Sequence, residues 1–339
     1  IAIAGISVAF SSLLFPSIKG YLKMIIYFCS YFTFLNILKD KPKRIFYVLG
    51  LLAVTVSLEA FYAIYQNFTG IEELASWQDT SNANPEQLVN RVYGTLKPFN
   101  PNLLAGYLVA GFSSILGTAC LCLTKKKFRL AVLSTVSTLA VLIAIVFTGS
   151  RGAYIAVSAM LALFLLFSWY VIWHDLKHIK WLKKLWVVVV VTGIVGILLF
   201  ILTSPAIQHR IISIFAFRDD SSNSYRFNVY ASGFKMFLDN WLIGIGPGNT
   251  TFRLMYGLYM ITGFDALGTY CVPLEMAVES GIFGLLSFLW LLVMCYARSI
   301  KNIINNISME IKIITIACIV AITGMMVHGF VDTVWYRPQ

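Results

Sequence analysis

The stretch VFTGSRGAYIA, residues 146–156, puts Arg151 in a four-residue gap between two long apolar runs. An arginine at the bilayer centre costs about 2.5–3.5 kcal/mol on insertion scales and far less at an interface, so the gap predicts a turn at a membrane surface. Gly149 and Gly152 permit that turn. A helix starting near Ser150 points its first N–H groups the same way as the guanidinium. Together they suit an anion, either carboxylate or phosphate. The alternative is an interface arginine that bonds a nearby carbonyl. Arg210, Arg218, Arg226 and Arg253 fall in the segment 204–268, and Arg337 follows the last apolar run. With Asp219 and Asp220 beside Arg218, a solvated charged face is an equal reading. Arg226, at the start of an expected helix, is the preferred partner for Arg151.

Glu275 and Glu279 are spaced i, i+4 in CVPLEMAVESGIFG and share one face of an expected helix; Glu59 lies inside another apolar run. Carboxylates at membrane depth act as relays, cation sites or arginine partners. A Glu275–Arg151 pair would neutralise both, and that structural role stands beside a catalytic one. His328 lies near Asp332 in MMVHGFVDT. His174 and His178 are spaced i, i+4 but sit among lysines, and no zinc spacing accompanies them. No metal and no cofactor are expected. LIGIGPGNTTF, residues 242–252, contains G-x-G-x-G, yet its flanks are not a strand and a helix of a soluble βαβ unit. Gly244, Gly246, Pro247 and Gly248 are expected to shape a bend that ends an interfacial helix. In KPFNPNLLAGYL, Asn100 reads as an N-cap and Pro101 as the first helical residue; Asn100 and Asn102 are also available to a substrate.

The elements that must position these residues are hydrophobic helices. Hydrophobic residues make up 59% of the chain and charged residues 12%, and several apolar runs reach the roughly 20 residues that cross a bilayer. An all-α polytopic transmembrane bundle follows, with about nine spans: 1–17, 21–38, 45–67, 102–123, 130–148, 152–173, 186–203, 270–297 and 313–330. Four short connections carry Lys39/Lys41/Lys43/Arg44, Lys125/Lys126/Lys127/Arg129, Lys177/Lys180/Lys183/Lys184 and Arg298/Lys301/Lys312. They hold fifteen of the 26 Lys and Arg but only three of the 15 Asp and Glu. They fall on one side, so the positive-inside rule makes that side cytoplasmic. The net charge of +11 is then topological. It excludes nucleic acid as its cause and leaves the bilayer as the partner. The opposite, outer side holds two long segments, 68–101 and 204–268. In the second, SNSYRFNVYASGFKMFLDN reads as an interfacial helix capped by Ser222, Asn223 or Ser224. Cys29, Cys120, Cys122, Cys271, Cys295 and Cys318 read as apolar packing residues. The chain opens on Ile1 in helix-like sequence, so a fragment of a longer protein is expected.

TGSRGAYIA, YRFNVYASGFKMFLDNWLIGIGPGN and YCVPLEMAVESGIFGLLSFLWLL, in that order, resemble the O-antigen ligase and polymerase-related membrane superfamily, from about Pro98 onward. FNPNLLAGYL, PLEMAVESG and HGFVDTVWYRPQ resemble its cyanobacterial IctB-like branch, described in terms of bicarbonate transport. The resemblance divides the chain into residues 1–97 and an O-antigen ligase-related domain, 98–339. Ligases of this superfamily transfer a glycan from a polyprenyl-pyrophosphate carrier at the outer face of the inner membrane. The resemblance implies contact of Arg151, and with it Arg226, with that diphosphate. One departure counts against the usual transfer route: the family's His-Asn pair is replaced by Tyr270 and Cys271. Two main functions are open. The first is inorganic-carbon handling through an anion site of Arg151, Arg210 and Arg226, with Glu275, Glu279 and His328 as relay or partner. The second is glycan transfer from a lipid-linked pyrophosphate. An assembly or regulatory subunit is a third possibility. Substrate and oligomeric state are not set by the sequence.

Overall fold

The computed structural model describes residues 1–41, 43–70, 91–215, 221–305 and 308–333. The described residues are helical, without a strand. The helices are α1 (Ala2–Ala9), α2 (Leu14–Asp40), α3 (Arg44–Thr69), α4 (Pro101–Thr124), α5 (Phe128–Thr148), α6 (Arg151–Tyr170), α7 (Lys180–Thr203), α8 (Pro205–Ile214), α9 (Ser221–Asp239), α10 (Asn249–Tyr256), α11 (Val272–Ile304) and α12 (Met309–Gly329). A π turn, Val171–Asp175, prolongs α6.

Eight of these are long and apolar enough to cross a membrane: α2 to α5, α6 with its π turn, α7, α11 and α12. The architecture is thus an all-α polytopic helical bundle. The difference from the expected nine lies at the start, where residues 1–17 do not form one span. Pro16 has no N–H to give, and its ring would strike the carbonyl of Ser12 in a continuous helix. The chain breaks after α1, Ser11 Oγ accepts from Leu13 N–H, and α2 begins with Pro16 in its first turn. The parity of the four basic connections is unchanged, since all follow α2.

The chain divides into two compact units. Unit 1 comprises residues 1–52, 221–306 and 325–339. Unit 2 comprises 53–220 and 307–324. In unit 2, α4 and α5 form an antiparallel pair against which α6 packs. Many large apolar side chains of α5 and α7 face outward, Leu133 and Val189 among them. Hydrocarbon as solvent removes the need to bury them. At one end of unit 2, Lys125 meets Glu310 at 3.4 Å, and buried Lys312 meets Asp175 at 2.6 Å. Residue 151 opens α6 at the opposite end, about 36 Å away at 1.5 Å per residue.

In unit 1, Val229, Met236, Ile245, Phe252, Tyr256, Ala266 and Val278 form a closed core between α9, α10 and α11. Helix α11 is broken at Gly281, whose φ of 66° and ψ of −170° lie outside the helical region. The break diverts the N–H of Ile282 to Trp241 O, at 2.7 Å. The carbonyls of Val278 and Glu279 accept instead from Ile245 N–H and Gly246 N–H, both at 3.0 Å. Irregular backbone at membrane depth is tolerated where other protein satisfies it, and here the loop 241–248 does so.

Candidate functional site

The turn 148–151 is built from both flanks. Helix α5 ends on Gly149 in the left-handed conformation, φ 61°. Thr148 Oγ1 accepts from Ser150 N–H at 3.2 Å, and α6 begins at Arg151. The half-buried guanidinium of Arg151 donates through Nη1 to the carbonyl and the hydroxyl of Ser213, both at 3.1 Å. Ser213 lies in the last turn of α8, where carbonyls carry partial negative charge. Arg151 therefore caps α8 while sitting at the N-terminus of α6. Bonding to a carbonyl was the structural alternative to an anion site, and this geometry combines a carbonyl contact with an anion-favouring position.

Arg91, which the sequence reading passed over, stands on the other side of the same turn. Its Nε donates to Thr148 O at 2.8 Å, and its Nη2 donates to Asn102 Oδ1 at 2.7 Å. A Cβ on Gly149 would lie 3.3 Å from the Arg91 side chain, so glycine there admits it. Asn100 is the N-cap of α4, accepting from Asn102 N–H at 2.8 Å, with Pro101 at the first helical position. The segment carrying Arg91 is tied down by α3. Gln66 Oε1 accepts from Tyr93 N–H and Gly94 N–H, each at 3.0 Å. Glu59 accepts from Thr95 N–H at 2.6 Å and Thr95 Oγ1 at 2.8 Å. Glu59 is therefore a backbone acceptor that fixes this loop. Two arginines and the N-termini of α4 and α6 thus converge on one end of unit 2. The signal for Arg91 was that it and Lys97 are the only basic residues between the third and fourth expected spans.

The remaining expected site residues lie on other elements. Arg210 is on α8 by its backbone, its side chain lying outside the described residues, as do Arg218, Asp219, Asp220, Arg337 and most of the first outer loop. Arg226 belongs to unit 1, where Nη1 donates to Ser222 Oγ at 3.1 Å. Helix α9 already begins at Ser221, so Ser222, Asn223 and Ser224 lie in its first turn and do not cap it. The helix starts a residue or more earlier than the cap preference suggested, and Ser222 serves Arg226 one turn on. Arg253 pairs with Asp265 at 2.8 Å on an exposed surface. His174 stacks on Tyr170 and bonds Asp175 at 2.9 Å.

Glu275 and Glu279 are both fully buried on α11. Thr269 Oγ1 lies 3.4 Å from Glu275 Oε2, and Gly248 N–H donates to Glu279 Oε1 at 2.9 Å. His328 is buried at the end of α12, and its carbonyl accepts from Val331 N–H and Asp332 N–H. The Tyr230 hydroxyl donates to Tyr270 O at 3.4 Å and to Phe330 O at 3.1 Å. It thereby joins the start of α11 to the end of α12 through α9. Burial pushes the Tyr230 hydroxyl up to about 12, against the opposing pull of Arg226. Burial also raises the Cys271 thiol. The glycines of LIGIGPGN do more than end α9: they present the backbone donors that α11 needs at its break.

Residues 136–289 match the family model described as O-antigen ligase. The match supports the O-antigen ligase-related superfamily and covers Arg151, Arg210, Arg226, Glu275 and Glu279. It leaves Arg91 and His328 outside. No curated protein matches the chain. The O-antigen ligase-like segment thus includes both the Gly149 turn and the broken helix α11.

Proposed function

We propose that this protein is an O-antigen ligase-type or polymerase-type glycosyltransferase that takes a glycan from a polyprenyl-pyrophosphate carrier at the outer face of the inner membrane. The observation that carries the reading is the Gly149 turn inside the ligase-like segment, flanked by Arg91 and Arg151 and by two helix N-termini. In such a transfer an acceptor hydroxyl attacks the anomeric carbon and the carrier leaves as a diphosphate. Negative charge grows on that leaving group. Donors already oriented toward it stabilise the transition state without reorganising. Arg151, beside the first N–H groups of α6, is suited to this, and Arg91 holds the turn in shape. The basic connections support an outer position for the turn under the positive-inside rule. Bicarbonate transport, the other expectation from sequence, gains nothing from a match whose description is that of a ligase. Tyr270 and Cys271, standing where the resemblance expects a His-Asn pair, are the residues in its favour.

The reading is tested with the full chain in nanodiscs, a labelled polyprenyl-diphosphate glycan and a sugar acceptor. Arg151→Ala is expected to lower transfer about 10²-fold or more while melting temperature and yield stay near wild type. Arg151→Lys is expected to recover part of the activity. Equal transfer by wild type, Arg151→Ala and Arg151→Lys would sink the proposal. So would cysteine labelling that places residues 149–150 on the cytoplasmic side.

A further inference from the structure

The carboxyl of Glu279 has no part in the reading above. It is completely buried in the second turn of a membrane-length helix, two residues before the break at Gly281. Its Oε1 accepts one N–H, from Gly248 at 2.9 Å. Its Oε2 is buried and, among the described residues, has no hydrogen-bonding partner. An isolated ionised carboxylate in such surroundings is too costly to persist, so the site must supply positive charge or the group must neutralise.

The surroundings are unusually polar for a membrane segment. Ser7 Oγ donates to Glu279 O at 2.7 Å, and Ser11 Oγ donates to Ile245 O at 2.6 Å. Ser11 and Ser17 hydroxyls meet at 2.7 Å, and Ser17 and Thr251 hydroxyls at 3.3 Å. A Cβ on Gly246 would fall 2.3 Å from Ser17 Oγ and 2.8 Å from Ser11 Oγ, so these hydroxyls press directly on the loop. Neutral hydroxyls from α1, α2, α10 and the α1–α2 link therefore line the 241–248 loop and the backbone carbonyl of Glu279 at the helix break, all within unit 1. Broken helices in membranes are places where small cations are held. One carboxylate balances a single positive charge. Among the described residues no group of three His, Cys, Asp or Glu offers a site to a multivalent metal.

We propose that Glu279 binds one monovalent cation, a proton or Na+, at the break in α11, and that occupancy fastens the 241–248 loop onto that break. Neutralising Oε2 removes the buried charge, and the Gly248 contact then holds at lower cost. Ionisable neighbours on the packed elements are few. Helix α1 and the loop 241–248 have none among their side chains. Lys19 and Lys23 on α2, Lys235 and Asp239 on α9, and Arg253 on α10 are exposed. Tyr21 of α2 lies against Gly5, and Tyr256 donates to Phe264 O. On α9, Arg226 bonds Ser222, the Tyr225 hydroxyl donates to Asp265 O and Tyr230 bonds Tyr270 and Phe330. Glu275, one turn back on α11, is the nearest further carboxyl on that helix and is itself buried.

The test is thermal unfolding of the full chain in detergent from pH 5 to 9, with NaCl or choline chloride at fixed ionic strength. Binding to the folded state stabilises by mass action, so wild type is expected to gain about 2 °C or more on one of two axes. A gain with Na+ at constant pH identifies sodium. A gain with falling pH in choline alone identifies the proton. Glu279→Gln, a permanently neutral mimic, is expected to fold and to lose the response on that axis. Glu275→Gln is expected to keep it. A flat wild-type response on both axes overturns the proposal even where Glu279→Gln does not fold. A response retained in Glu279→Gln, or abolished by Glu275→Gln alone, overturns it equally. None of these outcomes depends on glycan transfer.

Discussion

Arg91 and Arg151 reach the turn at Gly149 from opposite flanks, and the glycine is what lets them. A side chain at φ 61° costs about 1–2 kcal/mol, and here it would also press on Arg91 at 3.3 Å. Gly149→Ala is expected to lower the melting temperature and, by displacing the turn, to reduce glycan transfer. Thermal unfolding and the transfer assay read the two effects separately. Transfer at the wild-type rate from this variant would show that the turn's geometry is not required. At this scale the sequence singled out Arg151 as a candidate, since an arginine between two apolar runs stands out. Arg91 did not stand out, because it lies in a polar stretch where one more charge is ordinary. Only the bonds to Thr148 and Asn102 distinguish it.

Helix α11 shows how an element can look regular and not be. PLEMAVESGIFGLLSF carries an apolar pattern that glycine interrupts only mildly in sequence terms. Gly281 nonetheless adopts a backbone conformation reserved almost entirely for glycine, which costs other residues about 1–3 kcal/mol. A Cβ there would lie 2.3 Å from Leu242 O, a backbone atom that cannot rotate away. Gly281→Ala is therefore expected to dislodge the 241–248 loop and remove the Ile245 and Gly246 N–H donors from the carbonyls of Val278 and Glu279. Size-exclusion yield and protease sensitivity at 241–248 measure this, and a native profile would argue that the break is not needed. The G-x-G-x-G of that loop is excluded as a nucleotide fingerprint by its flanks. Its use as a donor strip for a broken helix depends on a contact across more than thirty residues, which no local pattern encodes.

Over the whole chain, positive charge is concentrated in four short connections. The basic connections carry most of the Lys and Arg, and one of those lysines has turned inward. Lys312 is 3% exposed and meets Asp175, itself 13% exposed, at 2.6 Å. Removing one member of a buried pair costs about 3–5 kcal/mol, whereas replacing both with apolar groups is often neutral. Lys312→Met is expected to destabilise the protein strongly. Lys312→Met with Asp175→Leu is expected to recover much of the loss. Melting temperatures of the two variants decide between a buried pair and a surface one, the latter predicting little change in either. In the sequence Lys312 belongs to a basic connection just before the expected span 313–330, and nothing local signals its partner 137 residues away.

Composition and run length determined that this chain is an all-α bundle, because hydrocarbon demands roughly twenty apolar residues per crossing and satisfied backbone throughout. The local pair Asn100 and Pro101 likewise determined where α4 begins. Tertiary structure decided the rest. It set the break between α1 and α2, the break in α11, the burial of Glu279 and the pairing of Arg91 with the Gly149 turn. Each of these is a contact between residues far apart in the chain, and its energy comes from desolvation and donor geometry that exist only once the helices have packed.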